Sequence, residues 1–209
     1  ITQVLAPVIS RLDFTAVKTK GKWIDAVYPW DLPNINSSAL EFHGQGINGT
    51  VENGVTIKGP VSIGKGSRIR SGSYIEGPVA IGEACDIGPN VTIMSSTSIG
   101  NGVIIEPYTY INNCLIMSSV RIGSHSHVSH SVLDDGVKVG PGLSAPTGRS
   151  QAVVDREVFR LSDTGALIGQ DAIIGSRVVI SPGRVVGAGC QIEDGVRVSG
   201  NLQNHSVVV

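Results

Sequence analysis

The sequence predicts a mainly β protein, a parallel β-helix of hexapeptide repeats, entered through a short α+β segment. Isoleucine occupies every sixth position from Ile57 to Ile111, ten times in succession. Two positions before the last nine of these stand Val61, Ser67, Ser73, Val79, Cys85, Val91, Thr97, Val103 and Thr109, all small or β-branched. Glycine supplies 27 of the 209 residues and punctuates most intervening turns, while aromatic residues make up only 4%. A period of six fits neither the 3.6-residue turn of a helix nor the alternation of a flat strand. It is the repeat of a solenoid in which each hexad makes one short strand and one turn, and three hexads close a coil. The large aliphatic residue points inward and stacks on its equivalent in the next coil. The small residue two places earlier also faces the narrow interior.

From the N-terminus, Ile1, Val4, Leu5, Val8, Ile9 and Leu12 recur at helical spacing and predict an amphipathic helix. The stretch "FTAVKTKGKWIDAVY" reads as two strands about a Lys18–Gly21 turn. Neither piece can bury its apolar face alone, so residues 1–45 look like the edge of a larger domain and a linker. The solenoid is expected over 46–209. Its beat continues through Ile116, Ile122, Val128, Leu133 and Val139 with two five-residue steps, and returns at Ile168, Ile174, Ile180, Val186, Ile192 and Val198. Between them, 146–166 breaks the repeat. This excursion sets Arg149, Arg156 and Arg160 against Asp155, Glu157 and Asp163. It reads either as a binding loop on a rigid scaffold or as a solvated hairpin.

Sixteen basic and seventeen acidic residues give a formal charge of −1, which offers no field to draw nucleic acid or an anionic membrane. Three widely spaced cysteines, an odd number with no CxxC pair, argue for a reducing compartment and against a disulfide framework. No apolar run reaches the length of a membrane span and no signal pattern opens the chain, so a cytoplasmic location is expected. Cys85 and Cys190 fall in the small inward slot, Cys114 reads as outside it, and Arg184 takes a normally small inward position, where a bulge or a buried pairing is expected.

The segment "GKWIDAVYPWDLPNIN" resembles the closing segment of sugar-1-phosphate nucleotidylyltransferases, where Gly-x-Trp-x-Asp precedes Pro-Trp-Asp-Leu and an Asn. Residues 1–12 resemble the helix before it. In bifunctional members of that family, the next domain is a left-handed β-helix that N-acetylates an amino-sugar 1-phosphate. The resemblance implies acetyl-coenzyme A as acyl donor, an amino-sugar 1-phosphate as acceptor and a homotrimer. It also implies Mg for a nucleotidylyltransferase domain whose Gly-x-Gly-x-Arg loop this sequence lacks. Pro33 stands where the family usually has Leu and is expected to delay or shorten the connecting helix.

Three histidines, His125, His127 and His130, crowd "RIGSHSHVSHSVLDDG". The inward register of Ile122, Ser126 and Val128 sends His125 and His127 outward, and places His130 beyond them. One reading is acyl transfer, which needs a base for the amine proton and donors for the oxyanion. Related acetyltransferases carry His-x-x-Tyr at this point and an Asn after a Gly-x-Gly-Thr step. Matching that pattern puts Ser124 at the His position, His127 at the Tyr position and Thr147 at the Asn position. The resemblance thereby implies His125 or His127 as base, with Thr147 and Arg149 on the substrate and Arg149 holding its phosphate. A second reading is zinc, since His125 and His130 are spaced like paired ligands of γ-class carbonic anhydrases. That site needs a third histidine about two coils upstream, where "CDIGPNV" has none, so no metal is expected. The third is a set of surface or intersubunit histidines without chemistry, on an eroded β-helix that serves trimerisation or regulation.

Overall fold

The structure, a computed structural model, describes residues 15, 17–18, 23–154 and 157–209. The hexads wind into a solenoid with three parallel faces, each crossed by one short strand per coil. The first face runs from Gly46–Ile47 through Val61–Ile63 to Val185–Val186, the second from Thr50–Val51 to Val207–Val208, and the third from Thr56–Lys58 to Arg197–Val198. Stacked partners include Ile57, Ile75 and Ile93, and the neighbouring face repeats this with Ile63, Ile81 and Ile99. Ile69, Ile75, Ile87, Ile93, Ile111 and Ile122 are wholly buried in one continuous core. Each such side chain contributes about 1.5–3 kcal/mol of burial, offset by the entropy of ordering the chain.

The small slot admits hydroxyls because the backbone satisfies them. The Ser67 hydroxyl donates to the Gly82 carbonyl at 2.7 Å and accepts from the Cys85 amide at 2.9 Å. Ser126 likewise donates to Gly123 and accepts from Leu143. Cys85 and Cys190 are buried packing residues, as expected. Cys114 is also wholly buried and takes the small slot before Ile116. Its spacing in the sequence put it outside, because the five-residue step that ends at Ile116 moves the slot one place forward. Burial pushes its thiol up to about 12.

The two five-residue steps shorten one corner, where the third face turns into the first. Ile111 lies beneath Val128 and Ile116 beneath Leu133, seventeen residues apart, whereas Ile57 and Ile75 are eighteen apart. In the next coil the same corner opens into an antiparallel hairpin, Gly148–Val154 with Glu157–Thr164. Leu133 then pairs with Ile168, so the excursion leaves the stack without disturbing its phase. Gly165 closes it: its amide donates to the His130 carbonyl, and a Cβ there would run into the carbonyl oxygens of Ser129 and His130. Just before the hairpin the two inward positions exchange sizes, with Leu143 in the small slot and Ala145 in the large one, both buried.

A 3-10 turn, Pro29–Asp31, leads directly into helix α1, Leu32–Leu40. Pro33 lies in its first turn, where a missing amide costs no intrahelical bond, so the helix is not delayed. The helix lies along the shortened corner: the Asn36 amide donates to the Ser96 carbonyl at 2.9 Å, and the Ser98 hydroxyl donates to Asn36 Oδ1 at 2.6 Å. Trp23 to Val27 carry no strand, contrary to the two-strand expectation. The helix expected over 1–12 and most of the Lys18–Gly21 turn lie outside the described residues. Among the described residues no helix is long and apolar enough to cross a membrane.

Candidate functional site

The strand His127–Ser129 on the third face positions the histidine cluster. His127 projects outward and meets the Tyr110 ring edge-on at 5.0 Å, one coil below; Ser144 is its neighbour one coil above. His125 occupies the corner before the strand in a left-handed conformation (φ 58°) and stacks on Tyr108 at 5.0 Å with 12° between planes. Both are exposed. The two tyrosines were not singled out in the sequence; the signal was their seventeen-residue offset from the histidines, visible only once the shortened corners are counted.

His130 occupies the corner at the other end of the same strand, also left-handed (φ 49°). The three histidines therefore spread across one face and two corners and do not converge. Among the described residues no group of three or more His, Cys, Asp or Glu is placed to hold a metal ion.

His130 lies in a cavity of about 310 Å³ where the corner, the start of α1 and the root of the hairpin meet. Its Nδ1 and the Asn113 Oδ1 are buried and lack hydrogen-bond partners. Burial holds the imidazole below its ordinary pKa, with the Asp163 carboxylate opposing the shift. Above this cavity the hairpin is braced from outside: Tyr28 stacks on Trp30 at 4.6 Å, and both meet Phe159 at 5.0 and 6.0 Å.

Thr147 and Arg149 are exposed at the foot of the hairpin. Arg149 lines a second cavity, about 600 Å³, with Arg160, Arg184, Ser150 and Ser162. Arg184 is thus neither buried nor paired as the sequence suggested. Its backbone keeps the corner while its half-buried side chain turns into this cavity, reaching only the Pro182 carbonyl at 3.4 Å. Among the described residues none of the three arginines has a carboxylate partner. Three unpaired guanidiniums around one space repel one another and suit an anion such as phosphate. The Ser150 hydroxyl is buried and unpartnered beside them.

Comparison with known proteins agrees with the solenoid. The GMPPB C-terminal domain family matches residues 75–158, and the hexapeptide repeat of succinyl-transferase family matches 165–200. A bifunctional protein GlmU of Methanococcus aeolicus is 28% identical over 220 residues, covering 100% of this chain and 52% of that protein. A bifunctional sugar-1-phosphate nucleotidylyltransferase/acetyltransferase of Sulfurisphaera tokodaii is 33% identical over 192 residues, covering 88% of this chain and 48% of its own length. The chain spans about half the length of the curated relatives it matches. Over most of its length the chain is similar to bifunctional sugar-1-phosphate nucleotidylyltransferase/acetyltransferase proteins, and it carries a left-handed hexapeptide β-helix of the acetyltransferase type.

Proposed function

We propose that this chain is the acyl-transfer arm of a bifunctional sugar-1-phosphate nucleotidylyltransferase. It moves the acetyl group of acetyl-coenzyme A to the nitrogen of an amino-sugar 1-phosphate. The observation that carries this reading is the arginine cavity at the hairpin foot, which suits a phosphate-bearing ligand; His127 projects outward from the face that leads into the hairpin. In the proposed step the amine nitrogen attacks the thioester carbonyl, the carbon–sulfur bond breaks, and the amine proton passes through an imidazole to the departing thiolate. We assign the imidazole to His127, on the flat of the face against Tyr110 and one coil below Ser144. His125, stacked on Tyr108, stands at the adjoining corner as the other candidate. Arg149 takes the phosphate, and Thr147 lies beside it at the hairpin foot. Three copies side by side would set these outward groups against a neighbouring rod. The Mg-dependent nucleotidyl transfer belongs to a domain outside this chain.

The test is release of free thiol from acetyl-coenzyme A on adding glucosamine 1-phosphate or galactosamine 1-phosphate. The buried cysteines keep the background of a thiol reagent low. Turnover is expected, with His127→Asn lowering kcat by about 100-fold or more. No release above buffer from a trimeric protein would replace this reading with that of an assembly module.

A further inference from the structure

We infer that the corner cavity beneath the hairpin is a binding site for a single hexopyranose ring, the sugar end of the ligand whose phosphate the arginine cavity receives. The inference rests on the acyl-transfer reading for the ligand's phosphate and amine, and on the cavity itself for the ring.

Three successive levels of one corner supply the polar groups: Asn113, then His130, then Asp163. All three adopt left-handed backbone conformations, at φ 50°, 49° and 56°. The His130 amide bonds to the Asn112 carbonyl, and the Gly165 amide bonds to the His130 carbonyl, so the levels are stacked directly. Trp30 of the 3-10 turn and Asn34 of α1 also line the cavity.

The chemistry selects among ligands. The orphaned Asn113 Oδ1 only accepts, and the Asp163 carboxylate only accepts. A neutral imidazole presents at its buried Nδ1 either a lone pair or a proton, according to tautomer. A hydroxyl both donates and accepts, so vicinal hydroxyls pair with every one of these groups whichever tautomer holds. An anion would meet two acceptors and no fixed cation. The Trp30 ring gives the apolar face of a pyranose something to lie against. At about 310 Å³ the space lies at the small end of ligand cavities, room for one ring and not for a nucleotide. Ser162 lines both this cavity and the arginine cavity, so a ring here and a phosphate there are neighbours across one residue of the hairpin.

The test is calorimetric titration of the whole chain with glucosamine 1-phosphate, galactosamine 1-phosphate and inorganic phosphate. Saturation-transfer NMR with free glucosamine accompanies it. His130→Asn and Asp163→Asn are the informative variants, because asparagine tolerates the left-handed backbone. Asn113→Gly provides a third on the same ground. Each should weaken the better sugar 1-phosphate by about tenfold or more while leaving inorganic phosphate unchanged, with thermal unfolding like the parent's. Free glucosamine should show saturation transfer that His130→Asn abolishes. Parental sugar affinity in all folded variants would overturn the inference, as would stoichiometric binding of Zn²⁺ with no response to glucosamine. Sugar binding without thiol release would overturn acyl transfer and leave the pocket standing. Thiol release with unchanged variant affinity would do the reverse.

Discussion

Leu143 and Ala145 show how strictly the interior measures volume. Every coil offers one wide and one narrow inward place per face, and here the occupants are exchanged, both buried. Ala145→Ile, which restores the usual residue to the wide place, adds volume beside an unchanged Leu143. It should cost about 1–3 kcal/mol in urea unfolding. Adding Leu143→Ala restores the ordinary order and should recover most of that loss; a double variant no better than the single would refute the exchange. His130 supplies a second prediction. Its folded pKa lies below its unfolded value of 6.5, so the unfolded chain binds more protons just beneath that pH. Its contribution is therefore complete above pH 6.5 and is lost as the pH falls from there toward the folded value. The stability gap between parent and His130→Asn should shift against the parent between pH 7.5 and pH 5, read from unfolding midpoints. At this scale the sequence was legible wherever the beat was regular: the outward direction of His125 and His127 follows from the inward register of Ser126 and Val128. Cys114 was misplaced because a single skipped residue moves every slot after it.

The hairpin is the element on which both cavities depend. Its two strands carry Arg149, Arg160, Ser162 and Asp163, yet the solenoid pairs Leu133 with Ile168 past it. Joining Pro146 to Gly165 through a short glycine turn should leave the coil stack folded, with circular dichroism unchanged. The same replacement should abolish phosphate binding and thiol release together. A shortened chain that keeps full turnover would remove the hairpin from the site. The sequence marked this excursion by its break in period and its mixed charges. It could not say which residues would meet, because Asn113, His130 and Asp163 come from three levels whose alignment depends on two missing residues. Nor did spacing reveal that Trp30 and Phe159 come together, since nothing local ties the 3-10 turn to the hairpin.

For the whole molecule, a solenoid is a one-dimensional object in which each coil touches only those above and below. Its ends are thin: Ile47 in the first coil is 54% exposed and Val208 in the last is only partly buried, against the buried Ile63 and Ile192 stacked next to them. Amide hydrogen exchange should accordingly be slowest around Ile93, Ile111 and Ile122 and quicken toward both ends. Uniform exchange along the chain would instead mean that the stack opens as one unit. The regularity that made the fold legible also explains why it predicts so little chemistry. Identical rungs carry no information about which outward position is used, and that information enters only where the repeat is broken.

The shortened corner carries a wider implication. Strands admit no change in residue number, because losing one would turn every later side chain from the inside out. A corner tolerates it: here the same edge gives up one residue at Asn113, another at His130, and then admits some twenty in the following level, while the register beyond is untouched. That edge is a seam along which the chain can be lengthened or trimmed with the barrel of the rod left whole. New recognition can therefore be written there without the scaffold being rewritten.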